Sequence, residues 1–230
     1  MCRIHALLLG LALACCACGR ESSPQQREAF PTASAAFEAV EERPHDEAVI
    51  DMGELGTIRF ELLSEIAPET VANFIELAEK GFYDGTYFHR VIPGFMIQGG
   101  DAATKNADPR DDGDGGPPRT VEDEFSDYPH IRGTVSMANK GFPHSGGSQF
   151  FIVHQETRAL DGLYTAFGRV IRGMEVVDAI TGFEIDAYGR YGPRDRPYPR
   201  DATVVSISIE PAYAPDERVA GGAAPGNPRR

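Results

Sequence analysis

The sequence predicts a domain built as an all-β or mixed β-barrel rather than as alternating strands and helices. Short runs that alternate apolar and polar residues, or that are rich in β-branched residues, recur along residues 47–211. Only two segments carry the apolar stripe of a helix, and turns containing glycine or proline separate most of the runs. Many short strands with two helices favour a curled or closed sheet over a βαβ layout.

The domain opens with two strands and a helix. Residues 48–52 and 57–62 have the pattern of strands, and a glycine-bounded turn at 53–56 joins them. Residues 68–81 predict a helix, because Pro68 suits the first helical position and a glycine suits the end. The apolar stripe of this helix, which should pack against the sheet, is Val71, Phe74, Ile75 and Ala78.

The central stretch of the domain is residues 88–101, in which two apolar runs flank a Pro93-Gly94 turn. This pattern predicts two short strands with a tight corner between them. Arg90 is unusual there, because its permanent positive charge lies among apolar side chains. Such an arginine either pairs with a nearby carboxylate or has a functional role. Alternation along the strand should point His89 away from the face that carries Arg90.

The second half of the domain adds further strands and one helix. Strands are predicted over 134–137, 149–154, 165–171 and 203–210, and a helix over 174–180. In the last strand, alternation should place Val205, Ile207 and Ile209 on one face.

Three loops separate these elements. The first, 108–118, is rich in aspartate, but its spacing does not fit an EF-hand loop and we expect no metal site. The second, 139–147, contains His144, which we interpret as a loop residue because nothing in the sequence pairs it with a nucleophile. The third, 183–201, is rich in proline, arginine, tyrosine and glycine, and the sequence assigns it no role.

Four motifs occur in order along the domain. They are Phe88–Asp101, Ser136–Asn139, Gly147–Ile152, and Leu160–Gly162 followed by Phe167–Val170. Together they closely resemble the signature of the cyclophilins, a family of peptidyl-prolyl cis/trans isomerases, over about residues 47–211. The resemblance implies a mainly β fold, an eight-stranded antiparallel barrel with an α-helix capping each open end. It also implies a filled barrel interior and a substrate groove on the outside.

The same resemblance implies roles for nine residues. Arg90 would donate to the twisting amide and Gln98 would hydrogen-bond the peptide. The others would bind substrate: Phe95, Met96, Phe151 and Leu160 around the proline ring, Tyr164 as an aromatic wall, and Ala138 and Asn139 through their backbone. For these residues other than Arg90 and Tyr164 the alternative is a place in the barrel core, above all for Phe151, which lies in a continuous apolar run.

Two positions depart from the pattern of many eukaryotic cyclophilins. Ala159 stands where those members have a tryptophan, and Tyr164 where they have a histidine. Tyr164 still supplies an aromatic surface, so the resemblance implies isomerase activity with weak cyclosporin binding.

The predicted function is cis/trans isomerisation of Xaa-Pro bonds in exported proteins, which assists their folding. The alternative is a non-catalytic module that binds proline-containing segments at the membrane. The sequence shows no Ser/His/Asp order, H-E-x-x-H motif or phosphate loop that would indicate a hydrolase, a metalloprotease or a nucleotidase. We expect no cofactor.

The chain begins with a segment that resembles an export signal. Residues 1–18 hold a charged start, a short apolar run and a boundary of small residues, and the run is too short to span a bilayer. The end of the run resembles the lipobox of bacterial lipoproteins, with Cys15 or Cys16 as the lipidated residue. The alternative is an ordinary cleaved signal with incidental cysteines. These features predict a protein of the bacterial cell envelope that is lipid-anchored to a membrane.

The flanking segments and the charge complete the predicted organisation. Residues 19–46 have the composition of a flexible linker and residues 212–230 that of a disordered tail. The formal net charge of −13 disfavours nucleic acids and anionic headgroups, so any membrane contact should come from lipid. All four cysteines lie within residues 1–18, which leaves the domain without disulfides. The expected partners are proline-containing polypeptides, and the domain is expected to be a monomer.

Overall fold

The computed structural model describes residues 46–190, 192–198 and 202–211, and an eight-stranded antiparallel sheet dominates it. The predicted signal segment and tail, and the linker apart from residue 46, lie outside the described residues. The described residues form ten strands: β1 (Glu47–Asp51), β2 (Thr57–Leu62), β3 (Arg90–Ile92), β4 (Met96–Gly99), β5 (Thr134–Met137), β6 (Phe150–Val153), β7 (Thr165–Arg172), β8 (Glu184–Asp186), β9 (Arg196–Tyr198) and β10 (Ser206–Glu210). The two helices are α1 (Pro68–Glu79) and α2 (Met174–Thr181).

The large sheet is strongly curled. Its strand order is β10-β1-β2-β7-β5-β6-β4-β3, and each neighbouring pair is antiparallel. The register shifts between Arg59 and Phe60 in β2 and between Val135 and Ser136 in β5, and such irregularities increase local twist. The predicted eight-stranded antiparallel fold with two helices is confirmed, in the form of a half-barrel.

An irregular stretch brings the two edges of the sheet together. Tyr87, just before β3, forms an isolated antiparallel bridge with Thr203, which precedes β10. The amide of Val204 donates to the carbonyl of Thr86 over 2.7 Å, and the amide of Gly85 donates to the carbonyl of Val204 over 2.8 Å. These bonds satisfy backbone groups that an open edge would leave exposed.

The helices pack on different strands of the curl. Helix α1 packs against β7 and β10, whereas α2 packs against β2, β3 and β4. Pro68 opens α1 as predicted, and the carboxylate of Glu124 accepts the free amides of Glu69 and Thr70 over 3.0 and 2.8 Å. This carboxylate neutralises the positive end of α1 from a distant loop. No helix among the described residues is long and apolar enough to cross a membrane.

The core lies inside the curl and is built around the Phe74 ring of α1. This ring lies 5.6 Å from Phe60, 5.7 Å from Phe150 and 5.3 Å from Phe167, measured between ring centroids. Gly168 in β7 makes room for this cluster, since a Cβ atom there would lie 2.7 Å from the Phe60 ring. Large apolar side chains therefore fill the interior, and any substrate must bind elsewhere.

Two predictions about the last part of the domain were wrong. Residues 183–201 were expected to be a loop, but β8 and β9 pair there as an antiparallel hairpin. Val205 was expected to share a face with Ile207, yet Val205 is 53% exposed and Ile207 5% exposed. Backbone hydrogen bonds to residues 85 and 86 hold Val204 in a buried position. The alternation of buried and exposed side chains is interrupted after Val204, and strand β10 begins only at Ser206.

Candidate active site

A second apolar cluster lies apart from the main core. Its buried members are Met96, Phe151 and Val153, and further apolar side chains pack around them. Met96 in β4 faces Val153 in β6 across the sheet. Because side chains alternate along β6, Phe150 enters the main core whereas Phe151 joins this outer cluster. Phe151 therefore belongs to the outer cluster and not to the barrel core.

A cavity of about 110 Å³ opens on this cluster. It is lined by all nine residues that the sequence suggested for catalysis or substrate binding: Arg90, Phe95, Met96, Gln98, Ala138, Asn139, Phe151, Leu160 and Tyr164. Three strands, the 3₁₀ turn at 158–160 and three connecting segments contribute them. Met96 and Phe151 give it an apolar floor, and Arg90 and Gln98 supply a hydrogen-bonded polar pair, an arrangement that suits a small apolar ring joined to a peptide backbone.

Arg90 borders the cavity from β3, directly opposite Gln98 in β4. Its Nη1 atom donates to Gln98 Oε1 over 3.3 Å. Among the described residues, no carboxylate lies within 4.0 Å of the Arg90 guanidinium, although six other arginines do have acidic partners. The half-buried charge of Arg90 is thus directed at the cavity rather than neutralised by a neighbour.

A second cavity, of about 230 Å³, adjoins the first and shares Gln98, Ala138 and Asn139 with it. Its other walls come from residues 113–120 and 140–149. The two cavities together form a groove on the outside of the curled sheet.

Hydrogen-bonded side-chain amides link the two cavities. Gln98 Nε2 donates to Gln149 Oε1 over 3.0 Å. Gln149 Nε2 in turn donates to the carbonyls of Gly113 and Gly115 over 2.8 and 2.9 Å. We call the pair Gln98 and Gln149, with these two carbonyls, the amide relay. Sequence analysis missed the role of Gln149, although a glutamine just before an apolar strand inside a family motif could have indicated it.

Beneath the cavity, a buried histidine supports its aromatic wall. The His130 ring stacks on Phe151 at 6.0 Å and meets Tyr164 edge-on at 6.5 Å. His130 Nδ1 lies 3.0 Å from Asp161 Oδ1, and Nε2 lies 3.0 Å from the hydroxyl of Ser136. His130 and Asp161 are 31 positions apart in the chain, so no local pattern could reveal their contact.

The fold thus assembles a Ser/His/Asp arrangement where the sequence showed no such order. Ser136 is fully buried, and its hydroxyl also lies 2.8 Å from the carbonyl oxygen of Thr165. A hydroxyl that no substrate can reach cannot act as a nucleophile. Burial lowers the pKa of His130, so the ring is neutral near pH 7 and its role is to hold the wall.

The other histidines singled out in the sequence lie outside the cavity. His89 is buried under the 113 turn, and burial lowers its pKa. His144 is an exposed loop residue, as predicted, and its Nδ1 atom lies 2.8 Å from Glu122 Oε2. Within the described part of the chain, no three or more His, Cys, Asp or Glu residues are placed to hold a metal ion.

Comparison with known proteins identifies the family of the domain that carries this site. The model of the family described as cyclophilin type peptidyl-prolyl cis-trans isomerase/CLD matches residues 48–208.

The chain belongs to the cyclophilin family.

Two bacterial relatives are similar over most of their own length. A peptidyl-prolyl cis-trans isomerase of Synechococcus elongatus is 46% identical over 140 residues, which are 57% of this cyclophilin and 91% of that protein. Peptidyl-prolyl cis-trans isomerase B of Bacillus subtilis is 51% identical over 120 residues, covering 51% and 78%. This cyclophilin is therefore a peptidyl-prolyl cis-trans isomerase.

A solved structure has the same fold. A cyclophilin type peptidyl-prolyl cis-trans isomerase of Cryptosporidium parvum, crystallised in the presence of the dipeptide Ala-Pro, superposes with a TM-score of 0.61. The two chains are 31% identical, and the match covers 71% of this cyclophilin and 98% of the other protein.

Proposed function

We propose that this cyclophilin isomerises Xaa-Pro bonds of exported proteins by stabilising the twisted amide with Arg90. The observation that carries the proposal is an arginine that has no carboxylate partner among the described residues and lines a cavity next to an apolar cluster. Met96 and Phe151 at the floor of this cavity offer surface for a proline ring.

The reaction is rotation about an amide bond. The barrier is about 18–20 kcal/mol because rotation breaks the resonance of the peptide unit. Without a catalyst, rotation of an Xaa-Pro bond takes on the order of tens of seconds or more. In the twisted state the prolyl nitrogen regains a localised lone pair and becomes a better hydrogen-bond acceptor than in either planar form.

Arg90 is placed to use this difference. A guanidinium that donates to the pyramidal nitrogen binds the twisted state better than the planar ground states, and this preference lowers the barrier. Gln98 restricts the guanidinium from one side, while the backbone of Ala138 and Asn139 would pair with the extended peptide. No covalent bond to the enzyme forms, and no side chain gains or loses a proton.

The role of Arg90 predicts a large loss of catalysis on substitution. Arg90→Ala should lower kcat/KM in a prolyl isomerisation assay at least about 100-fold, or about 2.7 kcal/mol, which is typical of losing one donor to a developing charge. Arg90→Lys should recover only part of this, because an ammonium lacks the planar fork. Arg172→Ala, at an exposed arginine of β7, is the matched control and should keep full activity. A folded and fully active Arg90→Ala protein would refute the role.

Export and lipid attachment are proposed from the sequence of residues 1–18. Their apolar run ends in Cys15 and Cys16, and residues 19–230 hold no other cysteine. A lipoprotein carries several acyl chains, which is enough for stable anchoring. Bound in this way at the cell envelope, the enzyme would meet proline-containing chains as they fold after export.

This proposal predicts acylation of the full chain in a bacterial host. Cells fed labelled palmitate should incorporate the label into the protein, and either Cys15→Ser or Cys16→Ser should abolish it. The other serine variant is the control and should remain labelled. If the unmodified protein is exported but carries no label, its first residues are an ordinary cleaved signal. That result would leave the isomerase proposal unaffected.

A further inference from the structure

The hairpin β8–β9, residues 184–198, lies beside the strand that carries Arg90. Strand β3 forms one edge of the large sheet, and its Val91 amide donates to the carbonyl of Asp195 over 2.7 Å. Asp195 has a positive φ of 62°, which turns the chain just before β9. The hairpin thus covers the sheet edge next to the proposed catalytic side chain.

Arg196 ties this hairpin to the loop at 101–118. Its Nε atom donates to Asp112 Oδ2 over 2.7 Å and to the hydroxyl oxygen of Tyr87 over 2.8 Å. Its guanidinium lies 5.3 Å from the centroid of the Tyr87 ring. The Asp112 side chain is completely buried and that of Arg196 is 11% exposed. Removal of one partner from such a buried pair strongly destabilises the folded protein, because the other charge is left buried and unpaired. The pair therefore holds the hairpin and the 101–118 loop together.

The carbonyls that anchor the amide relay come immediately after Asp112. Gly113 and Gly115 supply them, and both accept from Gln149. The Gly113 amide also donates to the carboxylate of Asp101. Gly115 packs so tightly that a Cβ atom would lie 2.1 Å from Asp101 Oδ1. Asp112 is bonded directly to Gly113, and the close packing of this turn on Asp101 leaves little room to absorb a shift, so a displacement of Asp112 would move the two carbonyls.

At its other end the amide relay contacts Arg90. Gln149 Oε1 accepts from Gln98 Nε2, and Gln98 Oε1 accepts from Arg90 Nη1, so hydrogen bonds run unbroken from the 113–115 carbonyls to the guanidinium. Within the described residues, no ion pair fixes Arg90 in any other way. The side-chain amide of Gln98 therefore sets the orientation of the long Arg90 side chain. A misplacement of a catalytic group by about 1 Å can lower the rate about 100-fold.

We propose that Arg196 is a positioning residue for the isomerisation. Through Asp112 it fixes the 113–115 carbonyls and with them the amide relay, which sets the direction of the Arg90 guanidinium. The hairpin that carries Arg196 is thereby part of the catalytic apparatus without touching substrate. This inference rests on the proposed role of Arg90.

The first test compares two arginines of the same hairpin. Arg196→Met removes the ion pair and keeps an apolar stem, whereas Arg194→Met alters an exposed arginine of the hairpin as the control. Measured on an Xaa-Pro peptide well below the unfolding temperature, Arg196→Met should lower kcat about tenfold. Its KM should stay within twofold, because the apolar floor of the cavity is untouched. Arg194→Met should leave both constants within twofold.

The second test separates positioning from general destabilisation. Gln149→Leu cuts the amide relay, so adding Arg196→Met to it should lower kcat no further. If the two substitutions lower kcat independently, so that the double variant shows the product of the two fold-losses, the proposal is contradicted and the hairpin has only a structural role. If Arg196→Met does not fold, Arg196→Met combined with Asp112→Leu removes both charges, and the same tenfold fall in kcat is expected.

The outcomes also distinguish this inference from the proposed function. An unchanged kcat in the Arg196 variants together with an impaired Arg90→Ala overturns only the positioning role. Full activity of Arg90→Ala overturns the proposed mechanism itself, and the inference with it.

Discussion

At the scale of single residues, the site combines a permanent charge with neutral surroundings. Arg90 keeps its proton at any accessible pH, and the residues that line its cavity include no histidine or carboxylate. The nearest buried imidazoles, His89 and His130, have pKa values lowered by burial, so neither gains charge near neutrality. The chemistry proposed for the cavity is therefore independent of proton transfer.

This arrangement predicts a flat pH profile. With a neutral Xaa-Pro peptide, kcat/KM should change less than twofold between about pH 6 and about pH 9, because no group in the mechanism titrates there. A general base would instead produce a sloping limb near its own pKa.

His89 provides the check on this prediction, since it adjoins Arg90 in sequence. The profile of His89→Gln should match that of the unmodified enzyme. A tenfold fall through the histidine range that His89→Gln removes would contradict the proton-free mechanism.

At the scale of elements, the 3₁₀ turn Arg158–Leu160 forms one side of the groove. Leu160 lines the cavity, while Ala159 is exposed beside it and contributes no large surface. Asp161 follows the turn and accepts the backbone amide of His130 over 2.8 Å, which fixes the turn to the aromatic wall. The turn is thus rigidly placed but offers little area for a large cyclic ligand.

Because Ala159 offers so little surface in this turn, we expect cyclosporin to inhibit the enzyme only weakly. Ala159→Trp should tighten inhibition at least about tenfold, since an aromatic anchor at an interface can contribute more than 1.4 kcal/mol, with kcat/KM nearly unchanged. The affected quantity is the inhibition constant in the isomerisation assay. Glu156→Trp, which adds an indole at an exposed site nearby, is the control and should not improve inhibition. Tight inhibition of the unmodified domain would show that Ala159 does not limit binding.

At the scale of the whole molecule, buried histidines tie stability to pH. His89 is 2% exposed and His130 is fully buried, and burial lowers the pKa of each below its usual value of 6.5. In the unfolded chain both titrate normally, so below about pH 6.5 the unfolded state binds more protons than the folded state. Their neutral forms therefore contribute stability that is fully present above pH 6.5 and is lost as the pH falls.

The measurable consequence is a fall in the free energy of unfolding on acidification. Each histidine should contribute to this fall, by at most about 1.4 kcal/mol per pH unit below about pH 6.5, as measured by urea unfolding at pH 7.5 and pH 5.5. His89→Gln should reduce this fall, whereas His144→Gln, at a side chain that is 53% exposed, should leave it unchanged. Equal falls in all three proteins would assign the effect to other groups.

Local sequence was enough to determine most elements and the candidate site residues. The strands 48–52 and 57–62, the helix that begins at Pro68 and the Pro93-Gly94 turn each follow from spacing within a dozen residues. Eight of the nine cavity residues were identified because they lie in short family motifs, and Tyr164 because it lies between the two parts of the last motif. Local motifs keep their conformation when the strands assemble.

Tertiary structure decided the features that depend on contacts between distant segments. The run Phe150–Val153 is buried on both faces, so only the curl of the sheet could assign Phe150 to the core and Phe151 to the groove. The hairpin β8–β9 has weak local signals, since Pro197 cannot donate a strand hydrogen bond, and it forms against β3. The amide relay and the contact between His130 and Asp161 join residues more than 30 positions apart, where hydrogen bonding follows from the fold and leaves no periodic trace in the chain.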